Sequence, residues 1–317
     1  MIDSSGGDGA RLLGLEIGGT KLQLCAGDHQ GRVQERIRLA VDASAGGPGI
    51  RSQLEGAVPE LAGRVRPSAV GVGFGGPVDW RTGRICCSHQ VEGWAGFPLA
   101  SWLSALARAP VFVDNDANVG ALGEARHGAG AGFNPVFYVT LGSGVGGGLV
   151  VDGNIFHGAP PGESEIGHLR LDRSGTLVES RCSGWAVDAR IAAAVAQHPD
   201  SALARCVGGA ARHQARFLGA ALAQGDPLAA AILEETAQDL SFGLSHVAHL
   251  FHPQVIVLGG GLALVGEPLR AAVARCLPPL LMKAFAPGPK IALARLAEDA
   301  VPLGALCLAA ARLDSDK

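Results

Sequence analysis

Two glycine-rich turns in the chain each join one strand-like segment to another. Gly18-Gly19-Thr20 lies between residues 12–17 and 21–26, and the glycine-rich segment 142–148 also lies between two apolar runs. In P-loops and dinucleotide-binding folds, by contrast, the glycine turn leads into a helix. We therefore predict two β-hairpins whose backbone N–H groups face a phosphate, because glycine lets the backbone approach a ligand closely.

Either glycine turn alone is also typical of an ordinary hairpin. Two such hairpins in one chain indicate two similar halves that clamp one phosphate-bearing ligand, and the length of 317 residues suits two domains better than one. A third glycine turn, Gly259-Gly260-Gly261, follows the buried strand predicted for residues 254–258 and leads into a helix. We predict a further ligand contact there.

A carboxylate stands where a short strand meets a helix. Residues 111–113 form an apolar run with β character, and residues 119–126 favour a helix. Asp116 lies between them, at the C-terminal edge of the predicted sheet and near the helix N-terminus, where the helix dipole favours an ionised carboxylate. We therefore predict that Asp116 is the reactive group.

Polar side chains that suit a polyol lie further along the chain. Glu165 and His168 belong to a predicted loop, and Glu179 lies on a polar stretch that leads into a helix. Carboxylates and an imidazole on loops can hydrogen-bond vicinal hydroxyls. Each of these side chains alone is equally typical of a solvated surface residue.

The composition disfavours several classes of function. The net charge is −3, no basic block occurs and aromatic residues make up 5% of the chain, so nucleic acid is not expected as a partner. No uninterrupted apolar run of about 18 residues occurs, so no membrane span is predicted. The seven cysteines are scattered without a C-x-x-C motif, and the N-terminal residues lack the apolar core of a signal peptide. Reduced thiols and a cytoplasmic location are therefore expected.

Taken in order, these motifs resemble the ROK family (repressor, open reading frame, kinase) of the actin/hexokinase superfamily. The resemblance extends from about residue 12 to residue 313. The matching segments are residues 16–21, 73–79, 115–118, 141–148, 165–168 and 257–261. Each motif is weak alone, whereas their order and spacing are specific.

The resemblance implies an α/β fold of two ribonuclease-H-like domains, as in actin-like ATPases, around a central cleft. Sugar would bind deep inside that cleft, with ATP and Mg²⁺ at its mouth. On this basis, residues 1–11 are expected to form a disordered leader. Residues 12–114 together with 301–317 would form a smaller N-terminal domain, and residues 115–300 a larger C-terminal domain.

The resemblance also implies roles for individual residues. Asp116 would be the general base that accepts the proton of a sugar hydroxyl. The residues that would contact the sugar are Gly76, Asn115, Asp116, Glu165, His168 and Glu179. The residues that would contact ATP or its phosphates are Glu16, Gly18, Gly19, Thr20, Lys21, Gly142, Ser143, Gly144, Gly259, Gly260 and Gly261.

The chain departs from the family pattern at three places. Glu16 stands where Asp is common, which we interpret as tolerated and one methylene longer toward Mg²⁺-bound water, and Gly75 stands where Pro is usual. Many family members also bind structural zinc through a cysteine-rich segment after the residue matching His168. Residues 169–179 contain no cysteine, and Cys182 alone cannot complete a tetrahedral site. We therefore predict no structural zinc and no metal-ligating residue, with His168 available to a sugar.

The function implied by the resemblance is an ATP-dependent hexose kinase, glucokinase-like, with hexose and ATP as partners and a homodimer as its assembly. The alternatives are an N-acylhexosamine kinase, for which the same residues would serve, and a catalytically silent sugar-binding protein. Polyphosphate is an alternative phosphoryl donor. A sugar-responsive DNA-binding repressor is disfavoured, because only about eleven residues precede the first predicted strand.

Overall fold

The computed structural model describes residues 11–88, 91–162, 164–211 and 213–315. The chain divides into two compact units. The first comprises the described parts of Met1–His127, His157–Glu163 and Glu298–Lys317, and the second those of Gly128–Phe156 and Ser164–Ala297. Apart from Arg11, the leader predicted for residues 1–11 lies outside the described residues. The domain boundaries predicted from the sequence stay predictions, although the first unit continues beyond residue 114, through His127.

The described residues contain strands and helices that alternate along much of the chain. The strands are β1 (Leu12–Ile17), β2 (Leu22–Gly27), β3 (Val33–Leu39), β4 (Ala69–Phe74), β5 (Val78–Asp79), β6 (Arg84–Ile85), β7 (Val111–Asn115), β8 (Val136–Leu141), β9 (Val145–Val151), β10 (Asn154–Ile155), β11 (Val255–Gly259) and β12 (Lys290–Leu293). The helices are α1 (Gly46–Val65), α2 (Leu99–Ala107), α3 (Asp116–His127), α4 (Val178–Cys182), α5 (Gly184–Gln197), α6 (Ala202–Val207), α7 (Leu218–Ala223), α8 (Pro227–Phe251), α9 (Glu267–Cys276) and α10 (Ala300–Ser315).

The main sheet of the first unit has the strand order β3-β2-β1-β4-β7. β1 and β2 form an antiparallel hairpin, whereas β1, β4 and β7 run parallel. Ile17 pairs with Phe74, and Phe74 pairs with Asn115, so these three strands end at the same level. The segments that follow them therefore leave the sheet at one edge.

The main sheet of the second unit repeats this arrangement, with the order β10-β9-β8-β11-β12. β8 and β9 form an antiparallel hairpin, and β8, β11 and β12 run parallel. In both sheets the first strand of the unit lies at the centre, between its hairpin partner and the later parallel strands. The prediction of two similar halves is confirmed at the level of sheet topology.

Apolar runs explain why the central strands are buried on both faces. β1 and β4 are buried along their whole length, as is usual for parallel strands covered by helices on both sides. In the first unit, Ile50 and Leu54 of α1 and Leu103 of α2 share one core cluster with them. In the second unit a separate cluster forms around β8, β11 and the long helix α8.

Local sequence signals fix both ends of helix α8. Asp226 caps it by accepting a hydrogen bond from the Ala229 N–H at 2.9 Å, and Pro227 occupies its first turn. The helix ends at Phe251, because His252 adopts a left-handed conformation with φ of 46° and Pro253 follows. Within the described residues, no helix combines the length and the apolar character needed to cross a membrane.

The second glycine turn is shorter than predicted. β9 already begins at Val145, so only residues 142–144 form the turn and Gly146, Gly147 and Gly148 belong to the strand. Close packing explains a glycine inside this strand: a Cβ on Gly147 would lie 2.8 Å from the Ser164 carbonyl oxygen and 2.9 Å from the Phe137 ring.

Helix α10 packs against α3 and the central strands with almost no side chain between the backbones. A Cβ on Gly304 would overlap the Val119 carbonyl of α3, and a Cβ on Gly71 of β4 would overlap the Ala305 carbonyl of α10. Glycine at these two positions therefore allows the close packing of α10, and this packing positions the helix that begins with Asp116.

We expect Gly304→Ala to destabilise the protein by about 1–3 kcal/mol or more, because the added methyl group overpacks a rigid backbone contact. The free energy of unfolding can be measured by urea denaturation followed by circular dichroism. Gly56→Ala is the matched control: Gly56 is exposed within α1 and a Cβ there meets nothing within 4 Å, so helix propensity should raise stability by about 0.5–1 kcal/mol. Equal effects of the two substitutions would contradict the packing interpretation.

Candidate functional site

In the first unit, three loop segments meet where β1, β4 and β7 end. The Gly75 N–H donates to the Ile17 carbonyl at 2.8 Å, which ties the second segment to the first. A Cβ on Gly75 would lie 3.4 Å from the Gly18 Cα and 3.5 Å from Asp116 Oδ2. The first glycine hairpin and the Asp116 carboxylate thus flank the same point.

Asp116 is the first residue of α3, and Asn115 caps that helix. Asn115 Oδ1 accepts hydrogen bonds from the N–H groups of Ala117 at 2.9 Å and Asn118 at 3.3 Å. Its Nδ2 donates to the Gly76 carbonyl at 3.2 Å. The capping arrangement places the partly exposed Asp116 at the positive end of the helix dipole, which favours the carboxylate form.

Gly76 is held in a conformation that favours glycine. Its φ is 154°, and a Cβ there would lie 2.7 Å from the Cys87 carbonyl oxygen. The close approach keeps the Gly76 carbonyl within reach of Asn115. Gly76 and Asn115, predicted sugar contacts, are therefore adjacent to each other and to Asp116.

The first glycine hairpin is closed by a hydrogen bond from the Gly18 N–H to the Lys21 carbonyl at 2.8 Å. Gly18 and Gly19 are partly exposed, and Thr20 and Lys21 are exposed. The Lys21 ammonium lies 3.5 Å from the Glu298 carboxylate. The hairpin therefore presents backbone at an accessible edge, as a phosphate-binding turn must.

Glu16 lies under this hairpin and is largely buried. Its carboxylate accepts a hydrogen bond from Gln23 Nε2 at 2.5 Å. Burial raises the pKa of Glu16 above its ordinary value of 4.5, and it outweighs the lowering by the Gln23 hydrogen bond and the Lys21 charge. Gln23 Oε1 is buried as well and has no hydrogen-bond partner among the described residues.

A buried polar network, which the sequence does not predict, lies directly behind Asp116. Asp114, 2% exposed, accepts hydrogen bonds from the Asn115 N–H at 2.9 Å, Asn118 Nδ2 at 3.0 Å and His157 Nε2 at 2.6 Å. The His157 ring stacks on Trp80 with the ring centroids 4.2 Å apart. The only sequence signal for Asp114 is its position directly before Asn115 and Asp116. The sequence separation of Asp114 and His157 fits no periodic pattern that would connect them.

The second unit presents its own glycine hairpin, at residues 142–144. The Gly142 N–H donates to the Gly144 carbonyl at 2.9 Å, and the Gly142 carbonyl accepts from the Gly184 N–H at 2.7 Å. Gly184 is the first residue of α5, whose N-cap Ser183 accepts from the Ala186 N–H at 3.1 Å. The N-terminus of a 14-residue helix thus abuts the hairpin, an arrangement that favours bound anions.

Glu179 braces this hairpin. Its Oε2 accepts a hydrogen bond from the Val145 N–H at 2.8 Å, and a Cβ on Gly144 would lie 2.5 Å from the same oxygen. Glu179 lies on the short helix α4, which packs against α8. The side chain predicted as a sugar contact therefore already holds the backbone of a predicted phosphate contact.

Glu165 and His168 belong to a short turn that packs against Val145. Both are exposed, and they flank a turn in which Ile166 is buried in the core and Gly167 lies against the Val145 carbonyl, so closely that a Cβ would overlap it. The turn that carries Glu165 and His168 therefore packs through Gly167 against Val145, the residue whose N–H donates to Glu179.

The third glycine segment meets the second hairpin at the same sheet edge. Gly259 ends β11 and pairs with Thr140 of β8. Gly260, with φ of +79°, packs on the backbone of Leu141, and a Cβ there would lie 2.5 Å from the Leu141 nitrogen. Gly261 is exposed and begins a short 3-10 turn. All three predicted glycine contacts therefore lie beside the 142–144 hairpin.

The part of the chain that the structure describes contains no group of three or more His, Cys, Asp or Glu side chains arranged to hold a metal ion. Cys182 is fully buried, with its Sγ 3.8 Å from the Thr236 carbonyl oxygen. Burial raises the pKa of the Cys182 thiol to about 12. The prediction of no structural zinc stays a prediction.

Known proteins resemble this chain over almost its whole length. A glucokinase of Halalkalibacterium halodurans is 31% identical over 308 residues, which cover 92% of each chain. A kanosamine kinase of Amycolatopsis mediterranei is 30% identical over 280 residues, 87% of this chain and 89% of that one. A ROK family glucokinase of Streptomyces griseus has been solved in complex with glucose and AMPPNP. It matches this structure with a TM-score of 0.83 at 28% sequence identity, and the match covers 95% of this chain and 100% of that chain.

The repeated sheet topology and these solved neighbours define an α/β protein with the fold of the actin-like ATPases, which confirms the predicted fold class. Residues 12–312 match the ROK family. The chain belongs to the ROK family, as its motifs suggest.

We expect Glu16→Gln to stabilise the protein at pH 7. The folded-state pKa of Glu16 is raised by burial, so the contribution of Glu16 to stability is complete below the unfolded pKa near 4.5 and is lost as the pH rises through the folded pKa. The melting temperatures of variant and wild type should therefore differ at pH 7 and converge below about pH 4.5. Glu55→Gln, on an exposed position of α1, is the control; a gap that persists at pH 4 would contradict the assignment.

Proposed function

We propose that this protein is an ATP-dependent sugar kinase that transfers the γ-phosphoryl group of Mg-ATP to a hydroxyl of a hexose, in the manner of a glucokinase. The observation that carries the proposal is the placement of the Asp116 carboxylate and the first glycine hairpin on either side of Gly75. Membership of the ROK family and the similarity to glucokinases support it.

The proposed general base is Asp116. A sugar hydroxyl is a weak nucleophile near neutral pH, and a carboxylate that accepts its proton contributes roughly 10²–10⁴-fold to the rate. As the hydroxyl oxygen bonds to the γ-phosphorus, the bond from that phosphorus to the bridging oxygen breaks and ADP leaves. The proton of the hydroxyl passes to Asp116, so the products are a sugar phosphate, ADP and the protonated base.

The proposed phosphate contacts are mainly backbone N–H groups. In the first unit they are those of Gly19 and Thr20, with the Lys21 side chain as a cation, because the Gly18 N–H already donates to the Lys21 carbonyl within the turn. In the second unit they belong to Ser143 and Gly144, because the Gly142 N–H already donates to the Gly144 carbonyl. The N-terminus of α5 beside Gly142 adds the partial positive charge of a helix end. Fixed donors of this kind stabilise charge on the transferred phosphoryl group without reorganising during the reaction.

Some of the proposed sugar contacts are made by polar atoms of side chains whose other atoms already take part in hydrogen bonds within the protein. Asn115 Nδ2 carries two hydrogens, of which one is directed to the Gly76 carbonyl, so one remains for a sugar oxygen. Glu179 uses one carboxylate oxygen for Val145 and retains the other. Glu165 and His168 are exposed in the same unit as Glu179, and carboxylates and an imidazole suit hydrogen bonds to neighbouring hydroxyls.

Mg²⁺ fits the residues present if the nucleotide supplies most of its ligands. Mg²⁺ usually keeps several waters and binds through one or two carboxylates plus substrate phosphates. Glu16 offers one carboxylate under the first hairpin, and its burial and hydrogen bond to Gln23 suit contact with a metal-bound water. When bound, the ion would help neutralise the charge of the phosphoryl oxygens.

A homodimer and a cytoplasmic location remain part of the proposal. Exposed apolar side chains on the second unit support self-association: Phe242, Leu250 and Phe251 lie on the last part of α8, and Phe156 packs against Phe251 with the ring centroids 6.4 Å apart. Light scattering in solution would contradict the dimer if it gave the mass of a single chain.

We expect Asp116→Asn to lower kcat roughly 10²–10⁴-fold while sugar affinity changes little, because the amide keeps the shape of the carboxylate but cannot accept the proton. ADP release coupled to NADH oxidation measures the rate, and calorimetry measures sugar binding. Asp200→Asn, at an exposed position outside the site, is the control.

The same assay decides the sugar. Hexoses, amino hexoses and N-acylhexosamines should be compared, with ATP and polyphosphate as donors. A glucokinase and a kanosamine kinase are 31% and 30% identical to this chain, and the same proposed contact residues would serve an N-acylhexosamine. If wild-type protein binds sugars but releases no ADP and consumes no polyphosphate with any of them, a silent sugar-binding protein replaces the kinase.

Glu179 and Glu165 should differ in which Michaelis constant they affect. Glu179→Ala should raise KM for both sugar and ATP, by roughly tenfold for ATP, because the hairpin loses a charge-assisted hydrogen bond of about 1.5–3 kcal/mol at Val145. Glu165→Ala should raise KM for the sugar alone. Glu179→Gln should restore KM for ATP, since its amide oxygen still accepts from Val145. An unchanged KM for ATP in Glu179→Ala would contradict the bracing role.

A further inference from the structure

His157 and Asp114 form a buried pair that the proposed chemistry does not use. The His157 side chain is 10% exposed and that of Asp114 is 2% exposed, and both belong to the first unit. A buried carboxylate needs partners for its oxygens, because an unpaired buried charge is strongly unfavourable. Asp114 has such partners on both oxygens.

The two oxygens of Asp114 have different tasks. Oδ1 accepts from the Asn115 N–H and from Asn118 Nδ2, which lie on either side of Asp116 in the sequence. This oxygen therefore fixes the strand end and the first turn of α3 relative to each other. The direction in which Asp116 leaves the backbone depends on that geometry.

Oδ2 of Asp114 is held by His157. The Nε2 to Oδ2 distance is 2.6 Å, and the stacking of Trp80, with an interplanar angle of 16°, leaves the imidazole little freedom to turn. A Cβ on Gly162 would lie 3.4 Å from Trp80 and 3.5 Å from the His157 Cβ, so the loop after His157 folds back over the stacked pair. Packing against Trp80 and the loop at Gly162 therefore fixes the orientation of the imidazole that donates to Asp114.

We propose that His157 is a positioning residue for Asp116: through Asp114 it fixes the first turn of α3, so that the base faces the reacting hydroxyl. The inference rests on the proposed kinase function. It assigns to His157 a larger effect on the rate of phosphoryl transfer than on the binding of sugar, and no effect on the binding of ATP. A misplacement of a reacting group by about 1 Å can cost roughly 10²-fold in rate.

The test compares His157→Ala with the wild type in the ADP-release assay and by sugar calorimetry. We expect kcat to fall by up to roughly 10²-fold, with KM for ATP unchanged and sugar affinity reduced much less than kcat. Free imidazole at millimolar concentration should restore part of the rate. His157→Gln keeps an amide donor, so its kcat should lie between those of His157→Ala and the wild type. It replaces His157→Ala in the test if that variant does not fold. The control is His198→Ala, at an exposed position after α5.

A second comparison separates positioning from a general loss of structure. In an Asp116→Asn background, His157→Ala should change the residual rate little, because the group that His157 positions is already disabled. A further large fall in that background would overturn the inference, as would full kcat in His157→Ala or a loss of sugar binding equal to the loss of rate. A wild type without phosphoryl transfer would refute the kinase function instead, so the two failures are distinguishable.

Discussion

The register between β1, β4 and β7 is the constraint on which the candidate site of the first unit depends. Hydrogen bonds between parallel strands align Ile17, Phe74 and Asn115, so three distant segments of the chain leave the sheet side by side. A register shift of one residue in any of these strands would turn its buried side chains toward the other face of the sheet. It would also move the loop that follows that strand away from the other two loops. The apolar core that fixes the register therefore also fixes where Asp116 stands relative to the glycine hairpin.

The same sheet topology occurs twice, but the two copies carry different polar groups. The first unit has the strand-to-helix carboxylate and the buried Asp114–His157 pair. The second has the α5 N-terminus and the Glu179 brace at its hairpin. Each copy has glycine at the turn after its first strand, and glycine allows the close backbone approach that the proposed phosphate contacts require. The hairpins thus belong to the shared architecture, whereas the side chains around them differ between the units.

Much of the fold could be predicted because it depends on local patterns. Apolar runs identified β1, β7 and β11, and the Asp226-Pro227 pair is a local signal for the start of α8. The failures concern contacts between distant positions. His157 and Asp114 lie 43 residues apart and share no periodic pattern, and Gly147 looked like part of a turn although its packing places it inside a strand. The sequence shows that a glycine is present at a position, but it does not show which neighbouring atom leaves no room for a Cβ there.

The glycine-mediated contact of α10 has a consequence for the order in which the protein can be built. α10 follows every other described element in the chain, yet it packs directly on β1, β4 and α3. During synthesis the first unit must therefore wait for the second to be translated before its sheet is covered. Contacts of such high sequence separation slow folding, and the uncovered apolar strands are exposed to aggregation in the interval. The two units therefore do not fold independently in the order of synthesis, because the first unit is completed by the C-terminal end of the described chain.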